Sequence, residues 1–156
     1  MSGAYALRAL RALDLDAAAA LHRDAFTALG ETPWSRQDLG ELLASPGAAG
    51  LMIEADGHAV GFALWRRAAD EAELLTLAVS PNHRRQGAGT CLVLAVMRSA
   101  RNSGARDLIL EVGVDNPAAR ALYDELGFVA VGRRMGYYRR AAGSAADAVI
   151  MRRDLA

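Results

Sequence analysis

An arginine- and glycine-rich turn between two apolar segments constrains the fold of this chain more than any other feature. The apolar segment EAELLTLAVS (residues 71–80) is typical of a strand and ends at Ser80-Pro81. The stretch HRRQGAGT (residues 83–90) follows and leads into the apolar run CLVLAVM, which we read as a helix up to Gly104. The pattern therefore predicts a strand, a glycine-rich turn and a helix in direct succession.

This arrangement is typical of an anion-binding site. The first N–H groups of a helix have no partner inside the helix, and the helix dipole places partial positive charge there. Gly87 and Gly89 let the backbone approach an oxygen because neither residue carries a Cβ. No Lys-Ser/Thr follows as in a P-loop, and Gly87-Ala88-Gly89 lacks the third glycine of a dinucleotide fingerprint. The segment alone favours a phosphate-binding loop, and a plain tight turn stays open as the alternative.

The composition fits one folded domain, residues 1–156, with its own core. The chain has 18 acidic and 18 basic residues, all of the latter arginine, so no net charge draws it to nucleic acid or to a membrane. Cys91 lies in the apolar run, and we expect a buried core thiol. His22, His58 and His83 lack metal-ligand spacing, so we expect no metal and place them at the surface or in turns.

No segment is typical of a targeting or membrane-spanning sequence. Arg8, Arg11, Asp14 and Asp16 lie where a signal peptide requires an apolar core. The longest aliphatic stretches are far below the roughly 18 residues that a membrane helix needs. We therefore expect a cytoplasmic protein.

Turn and cap signals divide the rest of the chain into strands and helices. Asp14 and Ser35 are expected N-caps of two helices, and Asp56-Gly57 is expected to turn a hairpin over residues 50–67. The other predicted elements are a strand over 4–10, a buried strand over 107–114, a helix over 116–128, and strands over 128–134 and 147–155 joined by an exposed loop. These elements predict an α/β (α+β) fold, a mixed, mostly antiparallel sheet of about six to seven strands with helices on both faces.

Two separate motifs resemble the same enzyme family. Arg84-x-x-Gly87-x-Gly89, directly after the strand LLTLAVSP, resembles the acetyl-coenzyme A pyrophosphate loop of the GCN5-related N-acetyltransferases (GNAT). The block N-x-x-A-x-x-L-Y-x-x-x-G-F over residues 116–128 resembles the same family, in the family's order and at its usual separation. The resemblance implies the GNAT fold and transfer of an acetyl group from acetyl-coenzyme A to an amine.

Further features resemble the RimI-type enzymes of this family. They are LEV before Asn116, the triplet Pro33-Trp34-Ser35, Arg133-Arg134 followed by Tyr137-Tyr138, and DAVIM near the end. RimI-type enzymes acetylate the α-amine of an N-terminal alanine of a small-subunit ribosomal protein. The resemblance therefore implies direct transfer to a peptide or protein N-terminus, that of a ribosomal protein, with the oligomeric state left open and a monomer favoured.

The resemblance also implies which residues hold acetyl-coenzyme A. The backbone at the end of the strand before the glycine-rich turn would pair with the pantetheine arm. The amides of the turn would hold the pyrophosphate, and an asparagine would contact the cofactor arm. In this sequence these residues are Leu77, Ala78, Val79, Arg84, Arg85, Gln86, Gly87, Ala88, Gly89, Thr90 and Asn116.

Two residues match the family's catalytic positions. Glu111 matches the general base; its neighbours Leu110 and Val112 are apolar, and a carboxylate buried on a strand needs a partner or a task. Tyr123 matches the tyrosine that protonates the departing thiolate. From the residues alone, Glu111 could instead point into solvent from a strand end, and Tyr123 could be a core residue of an amphipathic helix.

The acceptor end of the site is the least specific part of the pattern. The resemblance places Trp34, Tyr137 and Tyr138 beside the acceptor, although Trp34 could equally anchor two helices. The stretch RRMGYYRR (residues 133–140) also has the composition of a nucleic-acid surface, but its shortness and the neutral chain favour a substrate-facing hairpin loop.

This end also departs from the RimI pattern, which often reads Arg-Arg-x-Tyr-Tyr-Pro. Met135-Gly136 make the stretch one residue longer, Arg139 replaces the proline, Gly113 replaces a frequent arginine and Asp115 a frequent serine. Two alternatives therefore stay open: acetylation of a small-molecule amine on the same fold, and an inactive acyl-coenzyme A- or RNA-binding module.

Overall fold

The fold is built on one sheet, seen in a computed structural model that describes residues 4–139 and 145–156. Its strands are β1 (Tyr5–Ala9), β2 (Ala48–Ala55), β3 (His58–Ala68), β4 (Glu71–Val79), β5 (Asp107–Gly113), β6 (Val129–Arg139) and β7 (Ala145–Asp154). They lie in the order β1-β2-β3-β4-β5-β7-β6. All neighbours are antiparallel except β4 and β5, which are parallel. The predicted mixed, mostly antiparallel sheet is confirmed.

Helices cover both faces of the sheet, as predicted. They are α1 (Leu15–Phe26), α2 (Arg36–Ala44), α3 (Ala88–Asn102) and α4 (Pro117–Glu125). α1 and α2 pack on one face with Leu39 and Phe62 in the core between them and the sheet, whereas α3 and α4 pack on the other face around Leu92 and Tyr123. None of the described helices is long and apolar enough to cross a membrane.

A β-bulge in β4 changes which residues face each layer. Leu64 of β3 faces Thr76, but the next residue, Trp65, faces Leu74, so Leu75 is an additional residue in β4. An additional residue shifts the alternation of side chains by one position and bends the strand. Leu74 therefore packs in the α3–α4 core, whereas Ala78 packs in the α1–α2 core. In a strand without a bulge, these two residues would face the same side.

The central strands β4 and β5 separate just before this bulge. Their pairing covers Glu71 to Glu73 on β4 and Asp107 to Ile109 on β5. Beyond these residues, β4 continues to Val79 and β5 to Gly113, but the two strands are no longer paired with each other. The two strand ends therefore diverge and leave backbone groups of β4 directed into a gap.

Two local signals in the sequence have the predicted geometry, and a third differs. Ser35 accepts a hydrogen bond from the Asp38 N–H, 3.1 Å, and Asp56 and Gly57 form the hairpin turn with φ values of 52° and 79°. Asp14 does precede α1, but the prediction that its side chain caps the helix is wrong. Its carboxylate accepts instead from the guanidinium of Arg8, which lies on β1, and from the Arg11 N–H just before the helix.

The last hairpin differs most from the predicted boundaries. The prediction of an exposed loop from residue 135 onward is wrong, because β6 continues to Arg139 and β7 begins at Ala145. The strands stay paired on both sides of Met135 and Gly136 because β6 bulges there. Arg134 faces Ala148, and the next register pair is Tyr138 and Ala146. The predicted loop residues 140–144 lie outside the described part of the chain.

Candidate active site

A cleft of about 650 Å³ opens beside the end of β4, beyond its pairing with β5. Its walls are the end of β4, the glycine-rich turn with the start of α3, one side of α4, and the last turn of α1. Nine of the eleven residues predicted to hold the cofactor line it, namely Leu77, Ala78, Val79, Arg84, Arg85, Gly87, Gly89, Thr90 and Asn116. This volume lies in the range of about 300–1,000 Å³ that is usual for ligand sites.

The N-terminus of α3 points its free backbone donors toward this cleft. The Cys91 N–H is the first to bond within the helix, to the Gly87 carbonyl at 3.0 Å, so the preceding N–H groups have no intrahelical acceptor. No described side chain caps this end. Gly87 has φ of 89° and Arg85 has φ of 59°, two left-handed residues that turn the chain sharply into the helix. The result is a concave set of donors suited to an anion.

The second glycine serves helix packing. A Cβ on Gly89 would lie 3.3 Å from Leu122 Cδ2, tighter than ordinary contact, so glycine lets α3 and α4 approach across the cleft. Two predicted cofactor residues do not line the cleft. Gln86 donates its side chain to the Asn82 carbonyl at 3.2 Å, and Ala88 is buried in the α3–α4 core.

Arg84 and Asn116 connect the cleft to neighbouring elements. Arg84 Nη2 donates to the Ala25 carbonyl, 3.4 Å, in the last turn of α1, where the helix dipole favours a cation. Asn116 is the N-cap of α4, and its Oδ1 accepts from the Ala119 N–H at 3.3 Å. The amide N–H groups of an asparagine remain donors when its oxygen caps a helix, so this residue can fix α4 and still donate to a ligand.

Glu111 lies on the part of β5 beyond its pairing with β4. Its side chain is 15% exposed and its Oε1 forms an ion pair with Arg134 Nε, 3.0 Å. The flanking Leu110 and Val112 are buried in the core on the opposite face of the strand. Glu111 does not line the 650 Å³ cleft; it is a half-buried carboxylate with a cationic partner rather than a solvent-directed one.

Tyr123 is the buried residue of α4, next to Leu122 of the cleft wall, and it does not line the cleft itself. Its ring packs edge-on against Phe128 with 5.6 Å between the ring centres. Burial raises the pKa of the Tyr123 hydroxyl above its ordinary value, so the group stays protonated at neutral pH. A protonated hydroxyl is the form that a proton donor requires.

The residues predicted at the acceptor end do not meet in one place. The Trp34 ring stacks on His22 with 5.3 Å between centres, and the Trp34 N–H donates to His22 Nδ1 at 3.2 Å. These contacts fit the alternative in which Trp34 anchors two helices. Tyr137 is 49% exposed and lies beneath the Arg134 guanidinium, whose Cζ is 5.0 Å from the ring centre. Tyr138 pairs with Ala146 through its backbone, and its side chain lies outside the described part of the structure.

His22 corrects a prediction. We expected a surface or turn residue, but the ring is 4% exposed and stacks on Phe26 at 4.3 Å. Desolvation lowers the pKa of His22 to about 4. In the sequence, the only sign of burial is its place beside Leu21 and Ala25 on α1; the partner that completes the burial, Phe62, lies on a distant strand. In residues 4–139 and 145–156 no three metal-ligating side chains come together.

Sequence and structure comparisons identify the relatives of this chain. The profile of the Acetyltransferase (GNAT) family matches residues 15–128. An N-alpha-acetyltransferase RimI of Mycobacterium tuberculosis is 38% identical over 130 residues, 81% of this chain and 78% of that protein. A ribosomal protein bS18-alanine N-acetyltransferase of Haemophilus ducreyi is 36% identical over 121 residues, 76% of this chain and 81% of that protein.

The fold agrees with these similarities. The crystal structure of the ribosomal-protein-S18-alanine N-acetyltransferase from Escherichia coli superposes with a TM-score of 0.89 at 30% identity, covering 98% of this chain and 95% of that chain. The profile match, the two relatives and the superposition all extend over most of the chain. The chain therefore belongs to the acetyltransferase (GNAT) family and, within it, to the RimI-type N-acetyltransferases.

Proposed function

We propose that this N-acetyltransferase transfers an acetyl group from acetyl-coenzyme A directly to the α-amine of an N-terminal alanine of a ribosomal protein in the cytoplasm. The observation that carries the proposal is the cleft beside the end of β4, beyond its pairing with β5, where it meets the uncapped N-terminus of α3. GNAT acetyltransferases use acetyl-coenzyme A. The names of the bS18-alanine N-acetyltransferase relatives support the choice of acceptor.

The cleft fits an elongated, anionic acyl donor. We assign the pyrophosphate to the N–H groups at the start of α3 and to Arg84 and Arg85, which line the cleft on the same side. We assign the pantetheine arm to the backbone of Leu77 to Val79, because these residues continue β4 past the end of its pairing with β5. The side-chain amide of Asn116 would donate to the same arm.

Two side chains would move the protons of the transfer. The acceptor nitrogen attacks the thioester carbonyl carbon, an N–C bond forms and the C–S bond breaks. We assign Glu111 to accept, directly or through water, the proton that the amine loses, and Tyr123 to donate its hydroxyl proton to the departing sulfur. A tyrosine is already protonated at neutral pH at its ordinary pKa of about 10, so Tyr123 is in the donor form without any shift.

An α-amine suits a site that contains a single general base. Its reference pKa is about 7.7–8.0, against about 10.4 for a lysine side chain, so a useful fraction is already neutral near pH 7. Positioning of two reactants contributes up to roughly 7–11 kcal/mol, more than the roughly 10²–10⁴-fold that one acid–base group supplies. We therefore assign most of the rate to alignment of the amine with the thioester in the cleft.

At the acceptor end we keep Tyr137 and Tyr138, whereas the contacts of Trp34 with His22 favour its structural role. Two of the arginines in the stretch over residues 133–140 do not favour the nucleic-acid interpretation. Arg133 and Arg134 form ion pairs with Asp147 and Glu111, so their charges are already matched within the protein. A phosphate surface needs cations that are available to replace counterions.

The test is acetyl transfer to two matched peptides, followed by mass spectrometry. One peptide has a free N-terminal alanine and no lysine, and the other has a blocked N-terminus and one internal lysine. Mass detection avoids a thiol dye, which Cys91 would disturb.

We expect acetylation of the first peptide alone. Acetylation of neither peptide by a protein that still binds acetyl-coenzyme A would contradict the protein acceptor and favour small amines. Salt-dependent RNA binding without any transfer would favour the inactive module.

A further inference from the structure

The adjacent arginines of β6 point to opposite faces of the sheet, and each one meets a carboxylate. Arg133 donates to Asp147 Oδ2 through Nε, 2.8 Å, on the face covered by α4. Arg134 contacts Glu111 Oε1 through Nε, 3.0 Å, on the other face. Successive strand residues alternate between faces, so the two ion pairs are separate, and only that of Arg134 includes the residue that we assign as general base.

A bulge in β6 places Arg134 where it can reach Glu111. From the pair Arg134–Ala148 to the pair Tyr138–Ala146, β6 advances four residues while β7 advances two. Gly136 takes up the extra length with φ of 60°, and its N–H donates to Asp147 Oδ1 at 2.7 Å. Asp147 therefore holds the strand on both sides of Arg134, through Arg133 before it and Gly136 after it.

The surroundings of Glu111 explain why a cation is needed there. Its side chain is 15% exposed, and the residue directly across on β7 is the apolar Ile150. A carboxylate that is largely removed from water requires a charged or hydrogen-bonding partner. The guanidinium of Arg134 is held on its other side by the Tyr137 ring, with Cζ 5.0 Å from the ring centre.

We propose that Arg134 is a positioning residue for Glu111. By holding Oε1 it fixes the plane of the carboxylate and directs Oε2 toward the amine of the acceptor. A carboxylate has about four acceptor positions on its two oxygens, so contact at one oxygen is compatible with proton transfer at the other. This inference rests on the proposed function, in which Glu111 accepts the proton of the α-amine.

The test measures kcat and KM with the N-terminal alanine peptide for Arg134→Met, Arg134→Lys and Glu111→Gln, and for the double variant with Arg134→Met and Glu111→Gln. Arg152→Met is the matched control. Arg152 pairs with Asp107 on the same face of β5, and the exposures of this pair, 49% and 18%, match the 54% and 15% of Arg134 and Glu111. Thermal unfolding of each variant verifies that it is folded.

We expect Arg134→Met to lower kcat about fivefold, with an unchanged KM for acetyl-coenzyme A, and Arg134→Lys to lose less. Arg152→Met should behave as the wild type. In the Glu111→Gln background, Arg134→Met should cause no further loss, because a residue that acts through Glu111 has nothing left to position.

The outcomes separate this inference from the proposed function. If the wild type acetylates the peptide and Arg134→Met has the same kcat, the positioning role is overturned and the function stands. An equal loss in the Glu111→Gln background would also overturn it, since Arg134 would then act on the peptide independently. If the wild type acetylates no α-amine, the proposed function is overturned and the positioning role with it.

Discussion

The side of the site that we assign to the cofactor consists of backbone groups, whereas the side that we assign to the acceptor consists of side chains. On the cofactor side, one continuous segment from Leu77 to Thr90 presents backbone groups at a strand end and at a helix N-terminus. On the side that we assign to the acceptor, side chains from two strands meet, Glu111 of β5 and Arg134 of β6, while Asp147 of β7 holds Arg133 on the opposite face of the sheet. The comparison teaches that a backbone site is specified locally, whereas a side-chain site depends on the register of distant strands.

The largest effect that we predict concerns Tyr123, the residue that we assign as proton donor. Tyr123→Phe should lower kcat by roughly 10²–10⁴-fold, the usual loss for one acid–base group. The dissociation constant of acetyl-coenzyme A should stay within about twofold, because the phenyl ring still packs on Phe128 and the backbone donors are unchanged. Single-turnover mass spectrometry measures the first quantity and titration calorimetry the second.

Tyr5→Phe is the matched control for this variant. Tyr5 packs against the same core cluster from β1. We expect it to turn over like the wild type. Unchanged turnover in Tyr123→Phe would remove Tyr123 from the mechanism, and a comparable loss of cofactor binding would mean that the two sides do not act separately.

The next effect concerns the pH dependence of stability and tests the buried stack of His22 on Phe26 and Trp34. His22 has a folded-state pKa of about 4 against an ordinary value of 6.5, so the unfolded chain binds more protons between these values. Its contribution is fully present above pH 6.5 and is lost as the pH falls toward 4. We expect the free energy of unfolding to fall by about 2–3 kcal/mol from this residue between pH 7 and 4.5.

Urea unfolding at several pH values measures the free energy of unfolding of the wild type and of two histidine variants, and the loss is the difference between their pH dependences. His22→Gln should lack this part of the slope, whereas His58→Gln should keep it, because His58 is exposed in the β2–β3 hairpin. Equal slopes in wild type and His22→Gln would show that the buried stack of His22, Phe26 and Trp34 does not limit stability in acid.

A smaller effect concerns the general base. Glu111→Gln should lower the rate about tenfold at pH 7, because only about a tenth of an α-amine with a reference pKa near 8 is neutral there. The variant should recover as the pH rises to 9, where the acceptor loses its proton without help. Rates from pH 6 to 9 measure this change of profile, with Asp107→Asn as a control on the same strand face. An unaltered profile would point to a different base.

Features encoded within a few residues could be predicted from the sequence. The Ser35 cap, the Asp56-Gly57 turn and the glycine-rich turn before α3 each depend on neighbours in the chain. The helix predicted over residues 116–128 likewise forms, as α4. For these positions the local backbone decides the geometry, so residue type and spacing were sufficient.

Features that depend on distant partners could not be predicted. The burial of His22 depends on Phe62 of β3, and the partner of Glu111 depends on where β6 bulges. The extension of β6 depends on Asp147 accepting from Gly136 across the strand pair. Each outcome requires the strand register, which one sequence does not specify.

The smallest predicted effect separates backbone strain from cofactor binding. Gly87 and Gly57 have φ values of 89° and 79°, and an added Cβ would meet nothing within 4 Å at either position. Alanine at either site should therefore cost a similar roughly 1–2 kcal/mol of stability, from the left-handed backbone alone. Only Gly87→Ala should also raise the KM for acetyl-coenzyme A, by about threefold to tenfold, because relief of the strain turns the N–H groups of α3 away from the cleft.

Steady-state kinetics and urea unfolding of the two variants measure both quantities. Equal stability losses with an unchanged KM in Gly87→Ala would mean that the turn before α3 is only a turn, the alternative that its sequence left open. A raised KM in Gly87→Ala alone would tie the pyrophosphate to this helix terminus, because the two variants introduce the same methyl group into the same backbone region and differ only in their distance from the cleft.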